Sequence, residues 1–85
     1  MKTTIKSLLL TLLLLTLSAC SKVNSENFKK LEVGMEYEKI VALLGEPNKC
    51  DIVLNAKSCQ WVDGEKKIDV KFFADNVVYY TGTGL

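Results

Sequence analysis

Within Leu31-Glu32-Val33-Gly34-Met35-Glu36-Tyr37-Glu38-Lys39-Ile40-Val41-Ala42-Leu43-Leu44-Gly45-Glu46-Pro47 lie one amphipathic helix and the signals that bound it. Tyr37, Ile40, Val41 and Leu44 fall at i, i+3, i+4 and i+7, the spacing of an apolar stripe on one helical face. Glu36, Glu38 and Lys39 lie off that stripe. Gly34 interrupts any helix arriving from upstream, Gly45 suits the position just past a helix C-terminus, and Pro47 forbids continuation. The helix is expected from about Glu36 to Leu44. Before it, Asn24 or Ser25 can cap a shorter helix reaching about Leu31, with Glu26 in its first turn and Phe28 and Leu31 on one face.

Downstream of Pro47 the apolar period changes from that of a helix to that of strands. Asp51 to Leu54 and Ser58 to Val62 flank the turn-like Asn55-Ala56-Lys57, and Asp63-Gly64-Glu65 supplies the next reversal. Ile68, Val70 and Phe72 alternate with Lys67, Asp69 and Lys71, and Asp75-Asn76 turns into a last strand from Val77 to Thr81. The pattern predicts an α+β domain, two short N-terminal helices packed on one face of an antiparallel three- to four-stranded β-meander. If Phe72, Val78 and Tyr80 point inward, then Phe73, Val77 and Tyr79 project from the second face. Those three form a candidate protein-contact surface, since exposed aromatics on a strand suit protein contact. The competing reading is that they cover the small core or meet a bilayer surface.

Composition removes several function classes. The 85 residues contain no His, and all 11 basic residues are lysines, so the commonest general base and metal ligand and the bidentate phosphate fork are missing. No nucleophile–base pair is recognisable, and Asp63, Asp69 and Asp75 fall at turns or on an alternating solvent face. The expectation is a non-enzyme with no catalytic residues, no cofactor and no metal. The charge is balanced, with no basic face for nucleic acid.

The N-terminus carries a different signal. Lys2 and Lys6 precede an apolar run from Leu8 to Leu17, interrupted by Thr11 and Thr16, and Ser18-Ala19 precedes Cys20. A positive start, a short apolar stretch and small residues before a cut are the parts of a secretory signal peptide. A spanning helix needs ~20 apolar residues, about twice this run, which weakens the competing reading of a permanent anchor. Leu17-Ser18-Ala19-Cys20 resembles the lipobox of bacterial lipoproteins. That resemblance implies a diacylglycerol on the Cys20 thiol, cleavage before Cys20 and acylation of the freed amine. Residues 1–19 are then the cleaved signal, 20–26 a lipidated terminus with a short tether, and 27–85 the folded domain. In lipoproteins of Gram-negative bacteria an aspartate after the cysteine retains the protein at the inner membrane. Ser21 stands there instead, which implies the outer membrane with the domain facing the periplasm.

With Cys20 lipidated, Cys50 and Cys59 are the two remaining thiols in a compartment that permits disulfides. Domains of about 60 residues often need such a staple. A zinc site without His and a redox pair without C-x-x-C spacing are the weaker alternatives.

Leu31 to Pro47 resembles the Gly-Met through Leu-Leu-Gly-x-Pro signature of the SmpA/OmlA (BamE) group of small lipoproteins and of related proteins with a fold like the β-lactamase inhibitory protein. Trp61 and the run from Ile68 to Val78 are similar to that group's tryptophan strand and following hairpin. The resemblance covers about Asn27 to Leu85. It implies a lipid-anchored, non-catalytic module of the cell envelope that contacts another envelope protein and supports outer-membrane protein assembly or envelope integrity. The alternative it implies is an inhibitor or ligand-binding module acting on an exported enzyme.

Overall fold

Strand periodicity dominates residues 21–85, which the computed structural model describes. Residues 1–20, where the signal peptide and the lipidated Cys20 are expected, lie outside them. Two short helices, α1 (Ser25–Phe28) and α2 (Tyr37–Leu44), precede β1 (Lys49–Val53), β2 (Ala56–Asp63), β3 (Lys66–Phe73) and β4 (Asn76–Thr83). The strands form one antiparallel sheet in the order β1-β2-β3-β4, a meander within an α+β architecture.

α1 is shorter than its apolar spacing predicts. Asn24 caps it, its side chain accepting from the Asn27 amide at 2.8 Å, but the helix ends at Phe28 and Leu31 is reached through turns. α2 keeps its expected end, with Gly45 at φ 85° and its amide donating to the Val41 carbonyl at 2.8 Å. Its start lacks a side-chain cap, because Glu36 stands at the N-cap without a hydrogen bond. The sheet supplies one: the Tyr37 amide donates to the Asp75 carbonyl at 2.8 Å. One of the orphan amides of the helix start is thereby satisfied from the β3–β4 turn.

Ile40 and Leu44 of α2 are buried in one cluster with Cys59, Trp61, Ile68, Val70, Phe72 and Val77, joined by Val23 and Leu31. Ile68, Val70 and Phe72 face inward as their alternation predicts. Trp61, 1% exposed, donates from Nε1 to the Gly45 carbonyl at 2.8 Å and ties β2 to the end of α2. At the other end of the helix Tyr37 meets Phe72 edge-to-face, with centroids 5.2 Å apart. The Tyr80 hydroxyl donates to the Leu31 carbonyl at 3.0 Å, and its ring packs edge-to-face on Phe28.

The hairpin turns are shifted from their expected positions. They fall at Leu54-Asn55, Gly64-Glu65 and Ala74-Asp75, so Ala56 and Lys57 belong to β2 and Asn76 opens β4. Leu54, Ala74 and Asp75 take positive φ (54°, 51° and 65°), the backbone that two-residue hairpins require and that glycine or asparagine usually supplies. The expected phase of β4 is also corrected. Val77 is buried (1% exposed) and Val78 is exposed, the reverse of the alternation read from the sequence. The cause is a bulge: Phe72 pairs with Val77 and Lys71 with Tyr79, leaving Val78 without a partner. The extra residue lets Val77 and Tyr80 both face inward, three positions apart.

Cys50 and Cys59 are register partners on β1 and β2 and form a disulfide, with Cα atoms 4.1 Å apart. Closing a loop of about ten residues is worth ~2.5–3 kcal/mol in the chain-entropy picture. The pair Cys50→Ala/Cys59→Ala is therefore expected to lower the thermal midpoint by ~10–20 °C, since ~1 kcal/mol moves a domain this size by ~4–8 °C. A calorimetric scan with a change below ~3 °C would show that the sheet alone holds β1.

Candidate functional site

The faces of the sheet differ in what they leave exposed. Alternation puts Lys49, Asp51 and Val53 of β1, Ala56, Ser58 and Gln60 of β2, and Asp69, Lys71 and Phe73 of β3 on the side away from Trp61 and Ile68. Tyr79, opposite Lys71, shares that side. Phe73, Tyr79 and Val53 are 57%, 56% and 69% exposed, and Val78 adds another uncovered side chain at the bulge. A shallow, largely apolar groove of about 290 Å³ runs across this face between Val53, Ala56, Lys71 and Val78.

Two of the three residues read as a contact surface, Phe73 and Tyr79, therefore lie together on an exposed face, and Val77 does not. Val53, Ile52, Leu54 and Val78 complete the apolar end. Sequence reasoning passed over them because an exposed valine or leucine beside a turn carries no pattern of its own. Leu54, at the tip of the β1–β2 hairpin, is 95% exposed.

The apolar end and the N-terminal residues Ser21 and Lys22 lie at opposite ends of the sheet. Asn27 donates from Nδ2 to the Lys22 carbonyl at 2.8 Å, and the Lys22 side chain approaches Gly45, whose carbonyl binds Trp61. Trp61 pairs with Ile68 near the β2–β3 turn, whereas Val53, Leu54 and Phe73 adjoin the other two turns.

On the helix side a cleft of about 340 Å³ is bordered by Glu36, Tyr37, Glu38, Lys57, Asp75 and Asn76. Lys57, whose side chain is 19% exposed, places Nζ 3.7 Å from the Tyr37 ring centroid and 3.3 Å from Asp75 Oδ1. This cation–π and ion-pair contact pins the start of α2 to the sheet. Among the described residues no group of three or more His, Cys, Asp or Glu could hold a metal ion. Comparison of the chain with protein-family models, with curated proteins and with solved structures finds no significant match.

Proposed function

We propose that this chain is a lipid-anchored, non-catalytic protein-interaction module of the bacterial cell envelope. It is held in the outer membrane by acyl chains on Cys20, and the uncovered sheet face is its contact surface. The observation that carries the reading is the exposed apolar end of the sheet, with Phe73 and Tyr79, set far from the tether that leads to Cys20. An anchored domain presents that end to the periplasm, where a protein partner can reach it. The two helices form a layer over the opposite face, the arrangement that resemblance to the SmpA/OmlA group implies. Residues 1–19 serve as the cleaved signal, and the tether is too short to carry the domain far from the bilayer.

The experiment is capture of envelope proteins, further copies of the chain included, on the lipid-bearing protein and on its Tyr79→Asp variant. Tyr79 is exposed, so the fold survives the change, and capture falls at least ~10-fold, the loss of ~1.4 kcal/mol that an aromatic contact of moderate weight supplies. Equal capture by both proteins, with unchanged circular dichroism, sinks the assignment of this face.

A further inference from the structure

We infer that the uncovered sheet face takes a second copy of this chain, stacked face to face about a two-fold axis running along β2. The inference names the partner of the β1–β3 part of the face proposed above, Tyr79 on β4 lying outside the overlap, and rests on that reading of the face.

Its basis is the register. Three rows cross β1, β2 and β3 on this face: Val53–Ala56–Phe73, Asp51–Ser58–Lys71 and Lys49–Gln60–Asp69. A two-fold along β2 keeps each row at its own level and sets β1 of one copy over β3 of the other. Val53 then meets Phe73, Asp51 meets Lys71, and Lys49 meets Asp69, each contact occurring twice. One row is apolar against apolar, and two are opposite charges with the sign reversed between them. An axis along β3 would instead set Lys71 on Lys71 and Asp69 on Asp69, and like charges so placed are repelled. The within-strand pairs Lys49–Asp51 and Lys67–Asp69, at 3.9 Å and 3.6 Å, are long and at least partly solvent-exposed, so each group can exchange that neighbour for one across the interface at little cost.

Shape agrees with this packing. Ala56 and Ser58 keep the central column low, which allows two sheets to approach to ~10 Å with their strands nearly aligned. Only β1, β2 and β3 overlap across this axis; with five residues in β1 and eight in each of β2 and β3, at ~3.4 Å rise and ~4.8 Å spacing, they give a face of roughly 350 Å² in projection. Two copies bury on the order of 700 Å² before side-chain relief, short of a standard interface, so the pair depends on being held together in one membrane. The axis also leaves both tethers at the same end of the pair, so both Cys20 residues can enter one membrane. Confinement there raises the effective concentration of the second copy.

The test is the protein mass of the full lipid-bearing chain in nonionic detergent, from light scattering with the detergent contribution subtracted. The wild-type protein is expected as two chains per micelle, Lys71→Asp and Asp51→Lys each as one, and the charge-exchanged Asp51→Lys/Lys71→Asp again as two. Circular dichroism confirms the fold of each variant; should either single variant fail to fold, the other gives the same reading. A wild-type protein that stays at one chain across the accessible concentrations overturns the inference, as does a dimer indifferent to both single charge changes. If wild type is a single chain while Tyr79→Asp still loses capture of another envelope protein, the contact face stands and the second copy is the wrong partner.

Discussion

Trp61→Ala is expected to remove most of the domain's stability at 25 °C. Truncating a buried tryptophan costs ~3–5 kcal/mol through lost transfer energy and the cavity left behind. A domain of this length has on the order of 3–10 kcal/mol of total stability. Trp61 is 1% exposed in the cluster that joins α2 to the sheet, and its Nε1 holds the Gly45 carbonyl where the chain turns from α2 toward β1. The substitution therefore empties the core and frees the helix end together. Trp61→Phe separates the two effects, keeping most of the apolar volume while losing the hydrogen bond, and is expected to remain folded with ~1–2 kcal/mol less stability. Urea titration followed by far-ultraviolet circular dichroism measures both. A Trp61→Ala protein with a native spectrum and a midpoint near wild type would place the main core elsewhere.

Cys20→Ser is the second large effect, and it acts on location rather than stability. Each buried acyl CH₂ contributes ~0.8 kcal/mol, so a single chain binds a bilayer marginally while two or three hold almost permanently. Without the thiol there is no lipid. After signal removal the chain is expected to move almost entirely from the membrane pellet to the soluble fraction. The folded domain should be unaffected, because the contacts that fix the start of the described residues are made by other side chains: Val23 enters the core, and Ser21 and Lys22 contribute backbone oxygens and a side-chain cap. Fractionation followed by immunodetection measures the shift. Retention of the processed Cys20→Ser chain in the pellet would mean that something other than lipid holds it.

The parts of the fold legible in the sequence are those where one period holds without competition. Ile68, Val70 and Phe72 alternate with charges and occupy the inner face; Ile40 and Leu44 follow the helical stripe; Gly45 ends α2. The parts that were not legible have particular causes. Val77-Val78 fits either phase of a strand, and only the bulge opposite Lys71 and Phe72 decides which valine is buried. The turns Leu54-Asn55 and Ala74-Asp75 contain no glycine, so their positive φ leaves no mark on the residue types. Lys57 reads as part of a turn, yet it lies in β2 with Tyr37 and Asp75, distant in sequence, enclosing its side chain. The uncovered sheet face is legible only in its aromatics. Its charge pattern depends on which β1 residue lies two strands from which β3 residue, and that is a property of register.

Lipid on Cys20, as proposed, would fix which end of the sheet faces outward. Intact-mass spectrometry of the protein extracted from the envelope tests this most directly. The predicted species begins at Cys20 and carries the added mass of a diacylglycerol on sulfur and an acyl chain on the amine. A chain that retains residues 1–19, or one cut elsewhere with no added lipid mass, would contradict it.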